Sequence, residues 1–112
     1  MKKRMLFLTL MTFFTTNLYA ATASWYGPGF HGKRTASGEV FNQNALTTAS
    51  NSHKLGTSLL VTNVANGKSV KVKVNDTGGF RKYNRTLDLS KGAFTRIANL
   101  NQGIIKIKVQ KL

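Results

Sequence analysis

Two segments in which apolar and basic residues alternate strictly limit what this chain can fold into. Residues 70–74 read Val-Lys-Val-Lys-Val, and residues 105–109 read Ile-Lys-Ile-Lys-Val. Because successive side chains of a strand point to opposite faces, each segment forms a strand with one apolar and one charged face. The first strand follows Ser58–Ala65 across Asn66–Gly67, which predicts a β-hairpin with a two-residue type I′ turn.

A single helix is predicted between the two alternating segments. Ser90 has the residue type of an N-cap, Phe94 and Ile97 share a helical face, and residues 101–103 (Asn-Gln-Gly) end the segment. Residues 23–27 form a further short strand that enters a glycine-rich loop. Several short strands with one helix predict a small, mainly β domain, either a barrel or a sandwich, and periodicity alone does not choose between them.

The first twenty residues have the pattern of a secretory signal peptide. Three basic residues at positions 2–4 precede an apolar run that ends at Ala20. This run falls short of the roughly 20 apolar residues that span a bilayer. We predict that residues 1–20 are a signal peptide, that residues 21–112 are one domain, and that the domain is exported to the periplasm, the envelope or the medium. Residues 21–23 (Ala-Thr-Ala) offer a second cleavage pattern.

Composition excludes several classes of protein. The chain of 112 residues has 17 Lys and Arg, 3 Asp and Glu, 2 His and no Cys. One domain of this size is too small for a multidomain enzyme or a dinucleotide-binding fold. Without Cys it has neither disulfides nor a cysteine-linked lipid anchor, and two histidines with three acids form a poor set of metal ligands. We therefore expect no metal, no cofactor and no lipid anchor.

The formal net charge of +14 predicts anionic surroundings for this protein. Nucleic acids and anionic envelope polymers both fit this charge, and the export signal favours the envelope polymers over nucleic acid. Lysines that alternate with apolar residues also form the solvated faces of strands, so each lysine alone is weak evidence for a binding site.

The three acids are the candidates for acid–base chemistry. Asp76 follows an apolar strand and opens a glycine-rich loop, a position that suits either a catalytic carboxylate or an Asx-turn. Glu39 follows a Ser–Gly turn, and taken alone it is typical of a solvated turn residue. Asp88 precedes the predicted helix, where we expect it to accept backbone N–H bonds.

Residues 23–39, which begin Ala-Ser-Trp-Tyr-Gly-Pro-Gly-Phe-His-Gly and end Thr-Ala-Ser-Gly-Glu, resemble the opening of the rare lipoprotein A (RlpA)-like domain. Six further blocks follow in the family's order, at residues 45–47, 55–57, 61–63, 66–70, 74–78 and 87–90. The resemblance covers nearly all of residues 21–112. It implies a six-stranded double-psi β-barrel with one or two short helices, a fold related to expansins, barwin-type proteins and glycoside hydrolase family 45.

The same resemblance implies the activity of a lytic transglycosylase, a carbon–oxygen lyase that acts on polysaccharide. Such a domain cuts the bond between N-acetylmuramic acid and N-acetylglucosamine in peptidoglycan strands that lack stem peptides, and it leaves 1,6-anhydro ends. The implied setting is cell-wall remodelling or daughter-cell separation. The implied protein is a monomer, with division or wall-associated proteins as further partners.

The resemblance also assigns the site residues. The family's functional carboxylates fall on Asp76 and Glu39, and Asp76 is expected to act first as proton donor and then as proton acceptor. The positions expected to bind substrate are Trp25, Tyr26, Thr35, Ser50 and Asn75.

Two departures from the family's pattern keep a second function open. Ser50 stands where the family commonly has a histidine, and the usual Asp-Arg-Gly-Pro-Phe loop reads Asp-Thr-Gly-Gly-Phe at residues 76–80. The loop thereby loses a cation beside the acid and a proline that stiffens the backbone. The alternative function is a non-catalytic, expansin-like module that binds or loosens peptidoglycan.

Overall fold

A computed structural model describes residues 18–78 and 86–112 of the chain. Within these residues six strands and one α-helix follow each other, with two single turns of 3₁₀ helix at Pro28–Phe30 and Leu100–Gln102. The strands are β1 (Leu18–Trp25), β2 (Thr47–Ser50), β3 (Ser58–Asn63), β4 (Ser69–Asp76), β5 (Thr86–Leu89) and β6 (Ile105–Lys111), and the helix is α1 (Lys91–Ile97).

The six strands close into a barrel in the order β1-β5-β2-β4-β3-β6, with β6 paired to β1. The pairs β1–β5 and β2–β4 are parallel, and the other four pairs are antiparallel. This closure decides between the barrel and the sandwich that the strand pattern left open. It also confirms the mainly β architecture of six strands with a short helix.

The alternating segments form strands with the faces that their pattern predicted. Along β4 the valines at 70, 72 and 74 are buried and the lysines at 71 and 73 are exposed. In β6, Ile107 and Val109 are buried, whereas Lys106 and Lys108 are exposed. The apolar faces fill the barrel interior, which Phe94 and Ile97 of α1 extend at one end.

The predicted hairpin forms, but its turn differs from the prediction. Strands β3 and β4 are antiparallel, and residues 64–68 connect them. Gly67 has a φ of +74°, whereas Asn66 does not have a positive φ, so the two-residue type I′ turn is wrong. The Asn66 side chain instead bonds to distant and local backbone: its Nδ2 donates to the Ile97 carbonyl at 3.0 Å, and its Oδ1 accepts from Lys68 N–H at 2.9 Å.

Helix α1 begins as predicted and ends earlier than predicted. The Ser90 Oγ accepts from the Ala93 N–H at 3.1 Å, which makes Ser90 the N-cap. The helix ends at Ile97, whose carbonyl accepts hydrogen bonds from the side chains of Asn63 and Asn66. These long-range bonds replace the next turn of the helix, and a separate 3₁₀ turn follows at Leu100–Gln102.

Strand β1 begins inside the predicted signal peptide. Leu18 pairs with Gln110 and Ala20 pairs with Lys108 on β6. Cleavage after Ala20 stays a prediction, as does the domain boundary at residue 21. In the two ranges that the structure describes, no helix combines the length and the hydropathy needed to cross a membrane.

Candidate functional site

Four side chains form a row across neighbouring strands of the barrel. Ser24 on β1 is opposite Asp88 on β5, Asp88 is opposite Ala49 on β2, and Ala49 is opposite Asp76 on β4. Because neighbouring strands lie about 4.8 Å apart, the backbones of the two acids are separated by about 10 Å. Two of the three acids of the chain therefore share one face, with a small alanine between them.

Asp76 is held by three hydrogen bonds from neighbouring groups. Its Oδ1 accepts from the backbone N–H of Ala36 at 2.9 Å and from that of Thr77 at 2.9 Å. Its Oδ2 accepts from the Tyr26 hydroxyl at 3.0 Å. The side chain is half-buried at the end of β4, so the structure fixes a carboxylate that remains within reach of solvent. The sequence prediction of a strand-end carboxylate at Asp76 is consistent with this position.

Tyr26 positions Asp76 from a small apolar cluster outside the main core. Tyr26, Phe41 and Ala49 are buried together, and the rings of Tyr26 and Phe41 stack with centroids 4.5 Å apart. Burial, followed by the negative charge of Asp76, raises the pKa of the Tyr26 hydroxyl far above its usual range. Tyr26 therefore stays protonated and donates to Asp76. Its ring is 7 % exposed, so Tyr26 offers substrate very little aromatic surface.

Asp88 is the functional candidate that the sequence interpretation missed. Its Oδ1 accepts from the Ser24 hydroxyl at 3.1 Å, and Ser90 caps the helix, so the predicted N–H-binding role of Asp88 at the helix start is wrong. Burial raises the pKa of the Asp88 carboxyl, the Ser24 hydrogen bond opposes the rise, and the Asp76 charge adds to it. The signal was available in the sequence, because alternation places Asp88 on the face opposite to Leu87 and Leu89.

Glu39 lies beside Lys73 in a second part of the site. The Glu39 Oε2 and the Lys73 Nζ are 3.0 Å apart, and both side chains are about half exposed. The hydrogen bond from Lys73 holds the pKa of Glu39 below its usual range, so Glu39 is an anion at neutral pH. The loop that carries Glu39 is tied to β4, because Ala36 N–H donates to Asp76 and Ser37 N–H donates to the Asn75 carbonyl at 3.1 Å.

Trp25 lies on the other face of β1 from Tyr26. Its indole Nε1–H donates to the Leu100 carbonyl at 3.3 Å, and its ring lies 6.4 Å from that of Phe94. The structure therefore packs Trp25 against the barrel core and does not bring it to the row of acids. Among the described residues, Phe30 is an aromatic side chain that reaches solvent near the site: it is 52 % exposed, and its ring centroid lies 5.6 Å from that of Tyr26 in an edge contact.

Three other predicted substrate-binding residues are buried, as Tyr26 is. The Thr35 hydroxyl bonds with Ser37 Oγ and the Glu39 carbonyl, and the Ser50 Oγ accepts from the N–H groups of Ser52 and His53. These two side chains shape their own loops. Asn75 is 4 % exposed, and it lines a pocket with Glu39 and Lys73. Of the three, Asn75 is the one that the structure brings to the site, and substrate contact by any of them stays a prediction.

His53, three residues after Ser50, contacts Tyr19 of β1. Its Nε2 is 2.6 Å from the Tyr19 hydroxyl, and its backbone N–H donates to Ser50. Burial and the nearby Lys111 lower the pKa of the His53 ring. Within residues 18–78 and 86–112, no group of three or more His, Cys, Asp and Glu side chains is arranged to hold a metal ion.

Comparison with known proteins identifies relatives of this chain. Residues 19–109 match the family model described as "Lytic transglycolase". The chain is 50% identical over 88 residues to endolytic peptidoglycan transglycosylase RlpA of Campylobacter jejuni, and 55% identical over 82 residues to a probable enzyme of that name from Synechocystis. These alignments cover 79% and 73% of this chain but 32% and 25% of the relatives, so the chain spans about a third or less of their length.

Solved structures with similar folds include a protease inhibitor and an expansin. The Streptomyces papain inhibitor superposes with a TM-score of 0.71 at 20% identity, over 87% of this chain and 96% of its own. The apo expansin of Clavibacter michiganensis superposes with a TM-score of 0.68 at 25% identity, over 85% of this chain and 50% of its own. The fold is a double-psi β-barrel, and its presence in an inhibitor shows that the fold alone does not specify function. On the family match over residues 19–109, the chain belongs to the lytic transglycolase family.

Proposed function

We propose that this domain is an exported lytic transglycosylase that cleaves peptidoglycan glycan strands. The names of its relatives support peptidoglycan as the substrate. The observation that carries the proposal is the row of Asp76 and Asp88 with the Tyr26 hydroxyl on Asp76. Burial and the Asp76 charge raise the pKa of Asp88, the second carboxyl of this row.

In the proposed reaction, Asp76 first donates a proton and then accepts one. Protonated Asp76 gives its proton to the oxygen that links N-acetylmuramic acid to N-acetylglucosamine, and the bond from that oxygen to the muramic C1 breaks. The C6 hydroxyl oxygen of the same muramic acid then bonds to C1, and its proton returns to the Asp76 carboxylate. The products are a 1,6-anhydro end and a free N-acetylglucosamine hydroxyl, with no water consumed.

The other groups of the site support this step. Tyr26 and the Ala36 N–H hold the Asp76 carboxylate in place, and Asp88 is a second carboxyl on the same face, two strands away. Glu39 is the anion that stabilises the positive charge developing on the sugar ring, and Lys73 fixes its position. Asn75 lines the same pocket as Glu39 and is the proposed substrate-binding residue there.

Glycan strands without stem peptides are the proposed substrate. Removal of the stem peptide frees the lactyl carboxylate of each muramic acid, which gives the strand a regular negative charge. That charge complements a chain with 17 basic and 3 acidic residues. Action on this polymer in the envelope during wall remodelling or daughter-cell separation is part of the same proposal.

The test is digestion of glycan strands from which the stem peptides have been removed, followed by mass spectrometry. We expect 1,6-anhydro ends with the wild-type protein, and a loss of at least about a hundredfold in rate with Asp76→Asn. The control is Ser69→Ala, which removes an exposed hydroxyl bonded to Thr62 at the opposite end of β4 from Asp76 and should leave the rate unchanged. Reducing ends in place of anhydro ends would falsify the transglycosylase mechanism.

The expansin-like alternative is favoured by the structural similarity to the Clavibacter expansin. A non-catalytic module binds the glycan without forming any product, and Asp76→Asn leaves its binding unchanged. Binding of wild-type protein to the stem-peptide-free strands, measured together with the absence of product over long incubation, would establish this second function.

A further inference from the structure

One outer surface of the barrel combines lysines with exposed aliphatic side chains. Alternate residues of a strand point to the same side about 7 Å apart, which places Ile104 in line with Lys106 and Lys108 of β6. Thr62 of β3 is opposite Lys108, and just past β3 the Val64 N–H donates to the Lys106 carbonyl at 3.1 Å. Strand β4, on the other side of β3, adds a third lysine. The lysine face, as we call this surface, consists of Thr62, Val64, Lys71, Ile104, Lys106 and Lys108.

None of the chain's three acids, all of which lie within the described ranges, is on the lysine face. Glu39 pairs with Lys73, toward the Asp76 end of β4. Asp76 and Asp88 belong to the row that crosses β5 and β2, and these two strands stand across the ring from β3 and β6. The lysines of the face are therefore not neutralised by carboxylate side chains, and their fields add up on one side of the molecule.

Two aliphatic side chains of this face are exposed to solvent. Val64 and Ile104 are 53% and 68% exposed, and they line one pocket together with Lys106. Single exposed aliphatic residues are common on protein surfaces and need no explanation. Here two of them adjoin each other beside a cation, so the surface suits a partner that offers apolar material next to negative charge.

A bilayer surface with anionic phospholipids offers this combination. Its headgroup phosphates lie directly above the acyl chains, so a lysine reaches a phosphate while a neighbouring aliphatic side chain enters the boundary below. A glycan strand offers negative charge together with sugar rings, whose C–H faces pack well on flat aromatic rings. The six side chains of the lysine face include aliphatic groups and no aromatic ring. Their chemistry therefore favours lipid over glycan.

We infer that the lysine face docks the domain on a bilayer surface that contains anionic phospholipids. Val64 and Ile104 enter the boundary between headgroups and acyl chains, and the three lysines contact the headgroup phosphates. The row of Asp76 and Asp88 then lies on the side of the barrel turned away from the membrane. The inference concerns a second surface and does not rest on the proposed function.

The first measurement is co-sedimentation of the wild-type protein with lipid vesicles. One set of vesicles contains phosphatidylglycerol and phosphatidylcholine in equal parts, and the other contains phosphatidylcholine alone. A lysine near an anionic surface raises affinity about fivefold, so we expect at least about thirtyfold tighter binding to the anionic vesicles at roughly 0.15 M salt. Equal binding to the two sets, or binding to neither, overturns the inference.

A matched pair of double variants separates the lysine face from the total charge. Lys106→Gln/Lys108→Gln removes two charges from the face, whereas Lys33→Gln/Lys91→Gln removes two from the loop before β2 and the start of α1. We expect the first variant to bind anionic vesicles at least about tenfold more weakly, and the second to lose less than about threefold. Both should keep the wild-type melting temperature, because all four lysines lie outside the Glu39–Lys73 ion pair. Equal losses contradict a dedicated face.

A second pair of variants tests the insertion of aliphatic side chains. Ile104→Ser should weaken binding to anionic vesicles about three- to tenfold, at high salt as well as low, because apolar burial is not screened. Val40→Ser is the control, since Val40 is 55% exposed but lies beside Glu39 in the loop on the other side of the barrel. Wild-type affinity of the Ile104→Ser protein contradicts insertion.

The wall polymer provides the remaining outcome. If Lys106→Gln/Lys108→Gln weakens binding to stem-peptide-free glycan strands as much as binding to vesicles, the face serves the glycan and the inference is wrong. Anhydro product from soluble strands reports on the proposed function alone. Vesicle binding by the Asp76→Asn protein reports on the lysine face alone, and we expect it to equal that of the wild type.

Discussion

At the scale of single residues, the three acids of this chain occupy three different electrostatic environments. Asp76 accepts hydrogen bonds from Tyr26, Ala36 and Thr77. Asp88 is desolvated and bonded to Ser24, which leaves its pKa raised, and Glu39 is exposed beside Lys73, which leaves its pKa lowered. The three carboxylates therefore differ in their surroundings, and the difference arises from burial and from the neighbouring groups.

The raised pKa of Asp88 predicts a dependence of stability on pH. The folded state binds this proton more tightly than the unfolded chain does, so ionisation of Asp88 costs stability. The contribution of Asp88 to the free energy of unfolding therefore falls as the pH rises above the ordinary aspartate pKa of 3.8. Asp88→Asn keeps an acceptor for Ser24 and should raise stability at pH 7 but not at acid pH, as measured by urea unfolding.

Glu39→Gln is the control for that experiment, because the pKa of Glu39 is shifted in the opposite direction from that of Asp88. The lowered pKa of Glu39 means that its stabilising contribution is present above the unfolded pKa and is lost as the pH falls. Glu39→Gln should therefore leave stability unchanged or slightly lower at neutral pH. Equal pH profiles for the wild type and Asp88→Asn contradict the assignment of a raised pKa to Asp88.

At the scale of elements, close contact between α1 and the loop before β2 positions the site. The Ser90 Oγ bonds to the Ala45 carbonyl and caps the helix, and Gly92 N–H donates to the Gln43 carbonyl at 2.8 Å. This loop includes Ala45, which lines the pocket beside Glu39 and Lys73, and it leads directly into Thr47 at the start of β2. The helix thus acts on the site through the loop that it holds.

Gly92→Ala tests this contact. A Cβ at position 92 would lie 2.6 Å from the backbone oxygen of Asn44, so either the helix or the loop must shift. We expect the free energy of unfolding to fall by about 1–3 kcal/mol, although alanine favours helix by about 1 kcal/mol over glycine. Gly27→Ala is the control, because its Cβ meets no atom within 4 Å. A stabilised Gly92→Ala protein contradicts the close approach.

At the scale of the whole molecule, a large excess of positive charge covers a barrel whose interior is apolar. The exposed lysines of β4 and β6 lie on either side of β3, and 17 basic residues face only 3 acidic ones in the sequence. The sequence therefore has far more cations than acidic residues to balance them. The resulting field attracts anionic polymers over distances set by the ionic strength.

Salt should therefore weaken wall binding without weakening recognition of neutral sugar. We expect affinity for stem-peptide-free glycan strands to fall at least about tenfold between roughly 0.05 M and 0.5 M salt, because screening shortens the reach of the charges. Affinity for chitotetraose, which is neutral, should change by less than about twofold over that range. Glycan affinity that does not respond to salt contradicts the role given to the net charge.

The sequence by itself determined the features that depend on neighbouring residues. The period of two in residues 70–74 and 105–109 predicted β4 and β6, the residues around Asn66–Gly67 predicted a hairpin, and Ser90 predicted the start of α1. Strand alternation and helix capping act over a few residues, so the local pattern contains the information. The resemblance to a known family supplied the six-stranded barrel, which the strand pattern alone had left open against a sandwich.

Only the tertiary structure decided which side chains meet. Glu39 and Lys73 are 34 residues apart, Tyr26 and Asp76 are 50 apart, and Ser24 and Asp88 are 64 apart. Closure of the barrel brings these pairs together, and it also turns Trp25 toward the core. The pKa shifts of Glu39 and Asp88 depend on such contacts, because desolvation and neighbouring charge are properties of the folded chain.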